Sequence, residues 1–339
     1  MKYELAEPAI VDEYILGYDS LDPEAPKNAA DRTEPEYEKQ AKLAAARSQK
    51  KQRTLWGDAF RRLRRNKLAV ISVCWILFVV LVACSADLWV PQVLGSPTAI
   101  DSATAAGRSL LPPSLEHPFG TDLLGRDVLS RVIYGARVSL AVGLLATSIS
   151  TAIGLIMGAL AAYYGGVWDV IIMRLADIFL AFPYILFTIA ILAVFGPGFQ
   201  NVFIAIGILG WPSIARVFRS AILSVKENDY VDAARAMGAS DFRIIVRHIF
   251  PNSVATIIVY ATMTIGGAIL TESALSFLGM GVQPPTPSWG LMISDGKTYL
   301  STAPWLMICP GVAILSTVLA FTMLGDGLRD ALDVKTKDA

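Results

Sequence analysis

Residues Asp229–Asn252 read DYVDAARAMGASDFRIIVRHIFPN, a charged segment with strong helical propensity between two long apolar runs. Each of two predicted helix starts pairs a capping residue with a nearby acidic residue: Asp229 with Asp232, and Ser240 with Asp241. Gly238 lies between them, where the chain needs a left-handed residue that glycine adopts without a Cβ clash. The segment therefore predicts a helix, a glycine turn and a second helix that ends at Pro251.

The composition around this segment is that of a membrane protein. The chain has 339 residues, of which 54% are hydrophobic and only 17% charged, and its mean hydropathy is +0.51. A soluble protein of this length rarely carries so little charge. We therefore predict an all-α membrane protein with several transmembrane helices.

Six apolar runs are long enough to cross a bilayer. They lie at about 68–86, 138–163, 170–195, 200–219, 252–271 and 304–324. Three prolines inside these runs predict bends in the helices: Pro183, Pro212 and Pro310. Gly154 and Gly158 have the spacing that lets two helices approach closely, although a chance match in so apolar a run is nearly as common.

The distribution of charge predicts how the chain is oriented. Residues 1–46 are acidic and interrupted by prolines, which predicts a disordered tail or a short docking segment. Residues 47–67 are basic and carry apolar residues at helical spacing, which predicts an amphipathic helix on anionic lipid rather than a nucleic-acid surface, since a spanning helix follows at once. With both termini in the cytoplasm, residues 87–137 form an extracytoplasmic loop, 138–325 the core with a cytoplasmic loop at 221–250, and 326–339 a cytoplasmic tail.

A second distinctive segment, HPFGTDLLGRD at His117–Asp127, ends the long extracytoplasmic loop. Two glycines flank a Thr121–Asp122 pair, a pattern that predicts a tight turn capping the following helix. A structural lead-in to that helix and a docking role are both compatible with the pattern. We call residues His117–Asp127 the HPFGTD motif.

The sequence contains no arrangement of side chains typical of catalysis. Its two histidines are far apart and have no cysteine or carboxylate at ligand spacing, so we expect no metal site and no cofactor. The phosphate loop of an ATPase is also missing from the sequence. Arg174, Asp177 and Glu272 lie near predicted span ends, where structural pairing and a role in a transport pathway are both open.

Both segments resemble one family. Asp232-Ala233-Ala234, Gly238 and Phe250-Pro251 resemble the EAA loop of bacterial ABC importer permeases, with Asp232 in place of the usual Glu and Phe250 in place of the usual Leu. The HPFGTD motif resembles the signature of the C-type permease of oligopeptide, dipeptide and nickel importers. Together with the segments at 273–290 and 324–333, the resemblance covers the chain from about Leu55 to Asp333.

The resemblance implies a type I permease fold with six transmembrane helices and cytoplasmic coupling helices. It implies a loop that fits a groove of the ATPase subunit through residues of the EAA segment: Asp232, Ala233, Ala234, Gly238, Ser240 and Pro251. The implied partners are a B-type permease, two ATPase subunits, an extracellular solute-binding protein and the lipid of the bacterial inner membrane. An ion-coupled secondary transporter is the alternative, and a receptor or structural protein is a third hypothesis. The sequence leaves the cargo open among dipeptides, longer peptides and nickel chelates.

Overall fold

The computed structural model describes residues 55–96, 98 and 107–332, and in these residues it is built from α-helices with short turns. The predicted acidic tail at 1–46 lies outside the described residues, as do 47–54 and 333–339. The helices are α1 Leu55–Arg65, α2 Lys67–Val93, α3 Val128–Tyr164, α4 Gly166–Ala181, α5 Tyr184–Phe195, α6 Phe199–Lys226, α7 Asp229–Ala236, α8 Asp241–Ile244, α9 Phe250–Phe277, α10 Trp289–Gly296 and α11 Trp305–Leu332.

Five continuous helical segments are long and apolar enough to span a membrane, and a bent pair adds a sixth. The five are Lys67–Val93, Val128–Tyr164, Phe199–Lys226, Asp241–Phe277 and Trp305–Leu332. The predicted all-α membrane fold is therefore confirmed. Several helices run beyond the predicted spans, because their polar or capped ends continue the helix outside the apolar core.

The third predicted span is not one continuous helix. It consists of α4 and α5, which meet at an angle of 87°. Pro183 lacks the N–H that a helix needs, and Phe182 before it adopts extended dihedrals of φ −92° and ψ 139°. The bend predicted at Pro183 is thus a full break, whereas Pro212 and Pro310 lie inside helices that continue past them.

The centre of the fold is the close pairing of α3 and α6. A Cβ atom on Gly154 would lie 2.7 Å from the side chain of Ile214, and one on Gly158 would lie 2.7 Å from the carbonyl oxygen of Ala215. Neither site has room for a larger residue. The paired glycines therefore serve close helix packing rather than being a chance match.

The amphipathic helix α1 leads directly into the first span. Asn66 separates the two helices, and its side chain accepts hydrogen bonds from the backbone N–H groups of Leu68 and Ala69 at 3.1 and 3.2 Å, which caps α2. Ala59 on α1 is buried, while Phe60 is 67% exposed. The helix thus has a buried face and an apolar side chain directed outward.

Two details predicted for Asp229–Asn252 are wrong. Asn228, not Asp229, occupies the N-cap of α7, and its side chain instead donates to Ser224 and Val225 at the end of α6. Pro251 does not end a helix, since α8 continues through a π-helical turn at Ile245–Ile249 into α9. Pro251 is tolerated as the second residue of α9 because it directly follows the π-helical turn, where the regular α-helical bonding pattern is already interrupted.

Candidate functional site

The segment Asp229–Asn252, here called the Gly238 unit, contains a complete glycine-capped helix end. Gly238 has φ +79°, the left-handed conformation that was predicted. Its N–H donates to the carbonyl of Arg235 at 3.0 Å, and the N–H of Ala239 donates to the carbonyl of Ala234 at 3.1 Å. This pair of bonds is the Schellman motif, and it fixes the direction in which the chain leaves α7.

One face of the Gly238 unit is packed against the rest of the protein. Val231, Ala234, Ile244 and Ile249 are buried, and they form one cluster with side chains at the ends of α3 and α6. That cluster includes Tyr163, Phe218 and Ile222. The apolar contacts hold both short helices against the ends of the two central helices.

Polar contacts reinforce the same junction. The Tyr163 hydroxyl donates to Asp241 at 2.6 Å. The Lys226 ammonium donates to the last carbonyls of α3, Ala162 at 3.2 Å and Tyr163 at 2.7 Å. A cation at a helix C-terminus satisfies carbonyls that have no partner in the helix and interacts favourably with its dipole. The unit is therefore rigidly attached at its base.

The opposite face of the unit is exposed and partly apolar. Met237 is 82% exposed and Phe242 is 76% exposed, on either side of the Gly238 turn. Tyr230 and Val246 extend this surface. Exposed apolar residues of this size beside charged residues, outside the predicted apolar run at 252–271, indicate a contact surface for another protein. We call these four residues the apolar face of the Gly238 unit.

Five of the six predicted site residues are exposed: Asp232, Ala233, Gly238, Ser240 and Pro251. Ala234 is buried. Asp232 forms an ion pair with Arg235 at 3.1 Å, and Ser240 occupies the N-cap of α8 without a side-chain hydrogen bond. The sequence prediction missed the apolar face. The signal for it is that its apolar residues do not share the helical spacing of the buried residues Val231 and Ile244.

The HPFGTD motif lies at the other end of α3 and is built differently. Asp127 caps α3 by accepting from the N–H of Ser130 at 2.8 Å, so the predicted Thr121–Asp122 cap is wrong. Asp127 also contacts His117 Nδ1 at 2.9 Å. Asp122 bends back instead, and its Oδ1 accepts from the N–H of Arg126 at 2.9 Å.

An ionic cluster joins the motif to α10. Asp122 Oδ2 lies 2.7 Å from Arg126 Nε and 2.6 Å from Arg131 Nη1. Arg131 also reaches Asp295 on α10 at 3.4 Å, and its side chain is only 4% exposed. Burial, together with the nearby Asp122 carboxylate, raises the pKa of Asp295, while Arg126 and Lys297 oppose that shift.

The ionisable residues near the span ends are paired. Glu272 is fully buried on α9 and accepts hydrogen bonds from Ser139 of α3 at 3.1 Å and from Ser276 at 2.7 Å. Arg174 lies 3.6 Å from Asp177, which also contacts Arg216. These contacts support a structural use of the three residues.

Comparisons with known proteins agree with this architecture. A family model described as "Binding-protein-dependent transport system inner membrane component" matches residues 150–338, and one described as "N-terminal TM domain of oligopeptide transport permease C" matches residues 54–113. The dipeptide transport system permease protein DppC of Alkalihalophilus pseudofirmus is 46% identical over 83% of this chain and 90% of its own length. The glutathione transport system permease protein GsiD of Escherichia coli O6:K15:H31 is 44% identical over 84% of this chain and 92% of its own.

A solved structure of the MetNI methionine ABC transporter in inward-facing conformations is also similar. Its chain aligns with a TM-score of 0.50 and 20% identity, covering 60% of this chain and 96% of that chain. At this level of identity the similarity concerns the fold.

Proposed function

The chain belongs to the family of binding-protein-dependent transport system inner membrane components and is a permease subunit of an ABC importer; from this premise we propose that its cargo is peptides. The relatives named for dipeptide and glutathione transport support peptides as the cargo class. The chain forms half of the translocation pathway, and a paralogous B-type permease forms the other half. Two ATPase subunits hydrolyse ATP, and an extracellular solute-binding protein delivers the peptide.

The Gly238 unit carries the part of this proposal that concerns coupling. Its base is fixed to α3 and α6, the two helices paired at the centre of the fold, while its apolar face is exposed. A displacement of the unit therefore moves the central helices. We infer that Asp232, Ala233, Gly238 and Ser240 contact or shape the ATPase interface, that Ala234 anchors it, and that Pro251 starts the span behind it.

The orientation follows from this role. The Gly238 unit lies in the cytoplasm with both termini, and the HPFGTD motif lies outside. The second half of α1 carries four arginines: Arg61, Arg62, Arg64 and Arg65. Their positive charge fits an anionic lipid surface on the cytoplasmic side of the membrane. The chain itself then needs no catalytic group, because the chemistry belongs to the ATPase partners.

The coupling proposal is tested by replacing Gly238 with valine. A β-branched side chain in the left-handed conformation costs roughly 1 to 2 kcal/mol or more, and the turn can relieve that strain by redirecting α7 and α8. We expect Gly238→Val to insert in the membrane at normal levels but to lose peptide uptake. ATP hydrolysis should no longer respond to the loaded binding protein. Both are measured with the complete transporter in lipid vesicles.

Gly279→Val is the matched control. Gly279 also has φ +79° and, like Gly238, has open space where a Cβ would be placed, but it lies beyond the opposite end of α9. Valine therefore introduces similar backbone strain at both positions, and the two variants differ in where that strain lies. Stimulated hydrolysis and uptake should persist in Gly279→Val. If Gly238→Val also retained both, the unit would not be the coupling element.

A further inference from the structure

A cleft with a volume of about 270 Å³ opens among α3, α5, α6 and α9. It is near the midpoints of three of these helices, where a membrane protein is ordinarily most apolar. Hydroxyl groups nevertheless dominate its polar lining, and the main contributors are Thr147, Ser150, Ser213, Tyr260, Thr264 and Thr271. Among the described residues that line the cleft, none is charged.

The α9 wall of the cleft is a single stripe. Tyr260, Thr264, Gly267 and Thr271 follow one another at intervals of four, three and four residues, which places them on one face of the helix. All four remain partly or fully exposed in the single chain. Polar groups at membrane depth face a protein interior or a water-filled cavity rather than lipid. This face of α9 therefore suits a protein interior or a water-filled cavity better than lipid.

The hydroxyls differ in what they can still bind. Thr264 and Thr271 donate to carbonyls one turn back, at 2.8 Å to Tyr260 and 2.9 Å to Gly267, so their oxygens are left as acceptors. Thr147 is 4% exposed, and its hydroxyl has no hydrogen-bond partner among the described residues. A buried hydroxyl without a partner is costly, and rotation of the Thr147 side chain towards the cleft would let a ligand satisfy it.

We infer that this cleft holds the backbone of the peptide during translocation, an inference that rests on the proposed function. Each peptide unit presents one N–H and one carbonyl. The oxygens of Thr264 and Thr271 can accept from the N–H, and the hydroxyls of Ser213 and Tyr260 can donate to the carbonyl. Because the wall is uncharged, it neither traps nor repels the termini or charged side chains of the cargo. Complete ligand pockets have volumes of roughly 300 to 1,000 Å³, so this smaller half-cleft is completed by the second permease.

Filling the cleft provides the first test. Gly267 lies in the α9 stripe, and nothing lies within 4 Å of the position of a Cβ there. We expect Gly267→Leu to fold and to retain stimulated ATP hydrolysis, but to reduce uptake of radiolabelled trialanine at least about tenfold in vesicles that contain the complete transporter. Gly311→Leu is the control, because Gly311 on α11 has equally open surroundings and does not line the cleft.

Removing single hydroxyls tests the chemistry of the contact. Thr147→Val and Thr264→Val keep the shape of the side chain, and each should lower trialanine uptake about fivefold, the factor that corresponds to one hydrogen bond. Thr262→Val is the control, since Thr262 makes the same bond to a carbonyl one turn back, at 2.7 Å, but does not line the cleft. Uptake of an ester analogue of trialanine that lacks the central N–H should fall less in Thr264→Val. The reason is that the Thr264 oxygen accepts a hydrogen bond from that N–H, which the ester does not have.

The outcomes separate this inference from the proposed function. Normal trialanine uptake in Gly267→Leu with normal protein levels would place the peptide elsewhere and leave the permease function intact. Equal losses for trialanine and its ester analogue in Thr264→Val would overturn the backbone contact. If the wild-type transporter took up no dipeptide, tripeptide or longer peptide in an ATP-dependent manner, peptide transport itself would be overturned, and the role of the cleft with it.

Discussion

The Gly238 unit and the HPFGTD motif lie at opposite ends of α3, and they use their side chains in opposite ways. In the HPFGTD motif, ionisable groups already have partners within the chain: Asp122 contacts Arg126 and Arg131 of α3, and Asp127 contacts His117. In the Gly238 unit the buried contacts are apolar, while Met237 and Phe242 remain exposed. A surface whose groups already have partners stabilises its own chain, and a surface whose apolar groups lack them fits a separate protein.

This difference bears on the two roles that the sequence left open for the HPFGTD motif. Its carboxylates are occupied inside the chain, and Gly120 has room for no larger residue, since a Cβ there would lie 2.6 Å from the Leu111 carbonyl oxygen. Trp305 also donates to the Thr121 carbonyl at 3.3 Å, which ties the motif to α11. These contacts favour the structural lead-in over a docking role.

The largest effect that this comparison predicts is the loss of stability caused by Arg131→Met. Removing the guanidinium deprives Asp122 of one partner and Asp295 of its contact while the apolar volume is kept. Breaking a buried ion pair at one partner costs about 3 to 5 kcal/mol. We expect a clearly lower unfolding temperature for the complex purified in detergent and less protein in the membrane.

Arg174→Met is the control for that measurement. The Arg174 side chain is 79% exposed, and its ion pair with Asp177 is 3.6 Å long. Exposed pairs contribute about 0 to 1 kcal/mol. If both variants unfolded at the wild-type temperature, the charged cluster would not stabilise the fold, and the contrast between the two ends of α3 would be lost.

The features of these two regions that could be predicted from the sequence are mostly those formed by residues close together in the chain. The left-handed Gly238 turn and the position of Ser240 at the start of α8 were predicted because they depend on a few adjacent residues, although the Ser240 side chain makes no capping bond. The Asp229 cap was wrong by one residue, although the contacts there are also local: Asn228 occupies the N-cap, and its side chain donates back to Ser224 and Val225. A local pattern does not reveal which of two adjacent polar residues will be the last one outside the helix.

Features formed by distant segments were beyond local patterns. The contact between Arg131 and Asp295 joins residues 164 positions apart, and four helices build the hydroxyl-lined cleft. Pro183 predicted a bend, but its size of 87° depends on how α4 and α5 pack. The apolar face of the Gly238 unit became visible only when Val231, Ala234 and Ile244 were found to be buried beneath it.

An effect of intermediate size is expected on the affinity for the ATPase subunits when the apolar face of the Gly238 unit is changed. The double change Met237→Ser and Phe242→Ser should leave the unfolding temperature nearly unchanged, since both side chains are exposed in the single chain. If the ATPase buries these side chains fully, each substitution removes up to about 1.5 to 3 kcal/mol of favourable burial from the binding free energy. The affinity of the permease pair for the ATPase subunits should therefore fall at least about tenfold in a binding assay.

Leu115→Ser is the matched control for the apolar face. Leu115 is 105% exposed and lies just before the HPFGTD motif, at the end of α3 opposite the Gly238 unit. It should leave ATPase affinity unchanged. An unchanged affinity in the Met237 and Phe242 variant as well would show that exposure at the Gly238 unit does not mark the partner surface.

The smallest effect concerns Asp295, at the edge of the charged cluster. Its pKa is raised above the ordinary value of 3.8, mainly by burial, so the folded state holds the proton more tightly than the unfolded state. The stability of the wild-type protein should therefore fall as pH rises from the ordinary value through the raised one. Because the side chain is 52% exposed, solvent screening keeps this change small.

Asp295→Asn should remove that pH dependence and keep an oxygen that can accept from Arg131. Unfolding temperatures measured from pH 4 to pH 7 should converge at the acidic end, and the variant should be equally or slightly more stable at neutral pH. A variant that becomes progressively less stable than wild type as pH rises would mean that the ionised carboxylate strengthens the cluster through Arg131. Asp295 would then belong with Asp122 among the charges that stabilise this end of α3, and the contrast with the Gly238 unit would extend as far as α10.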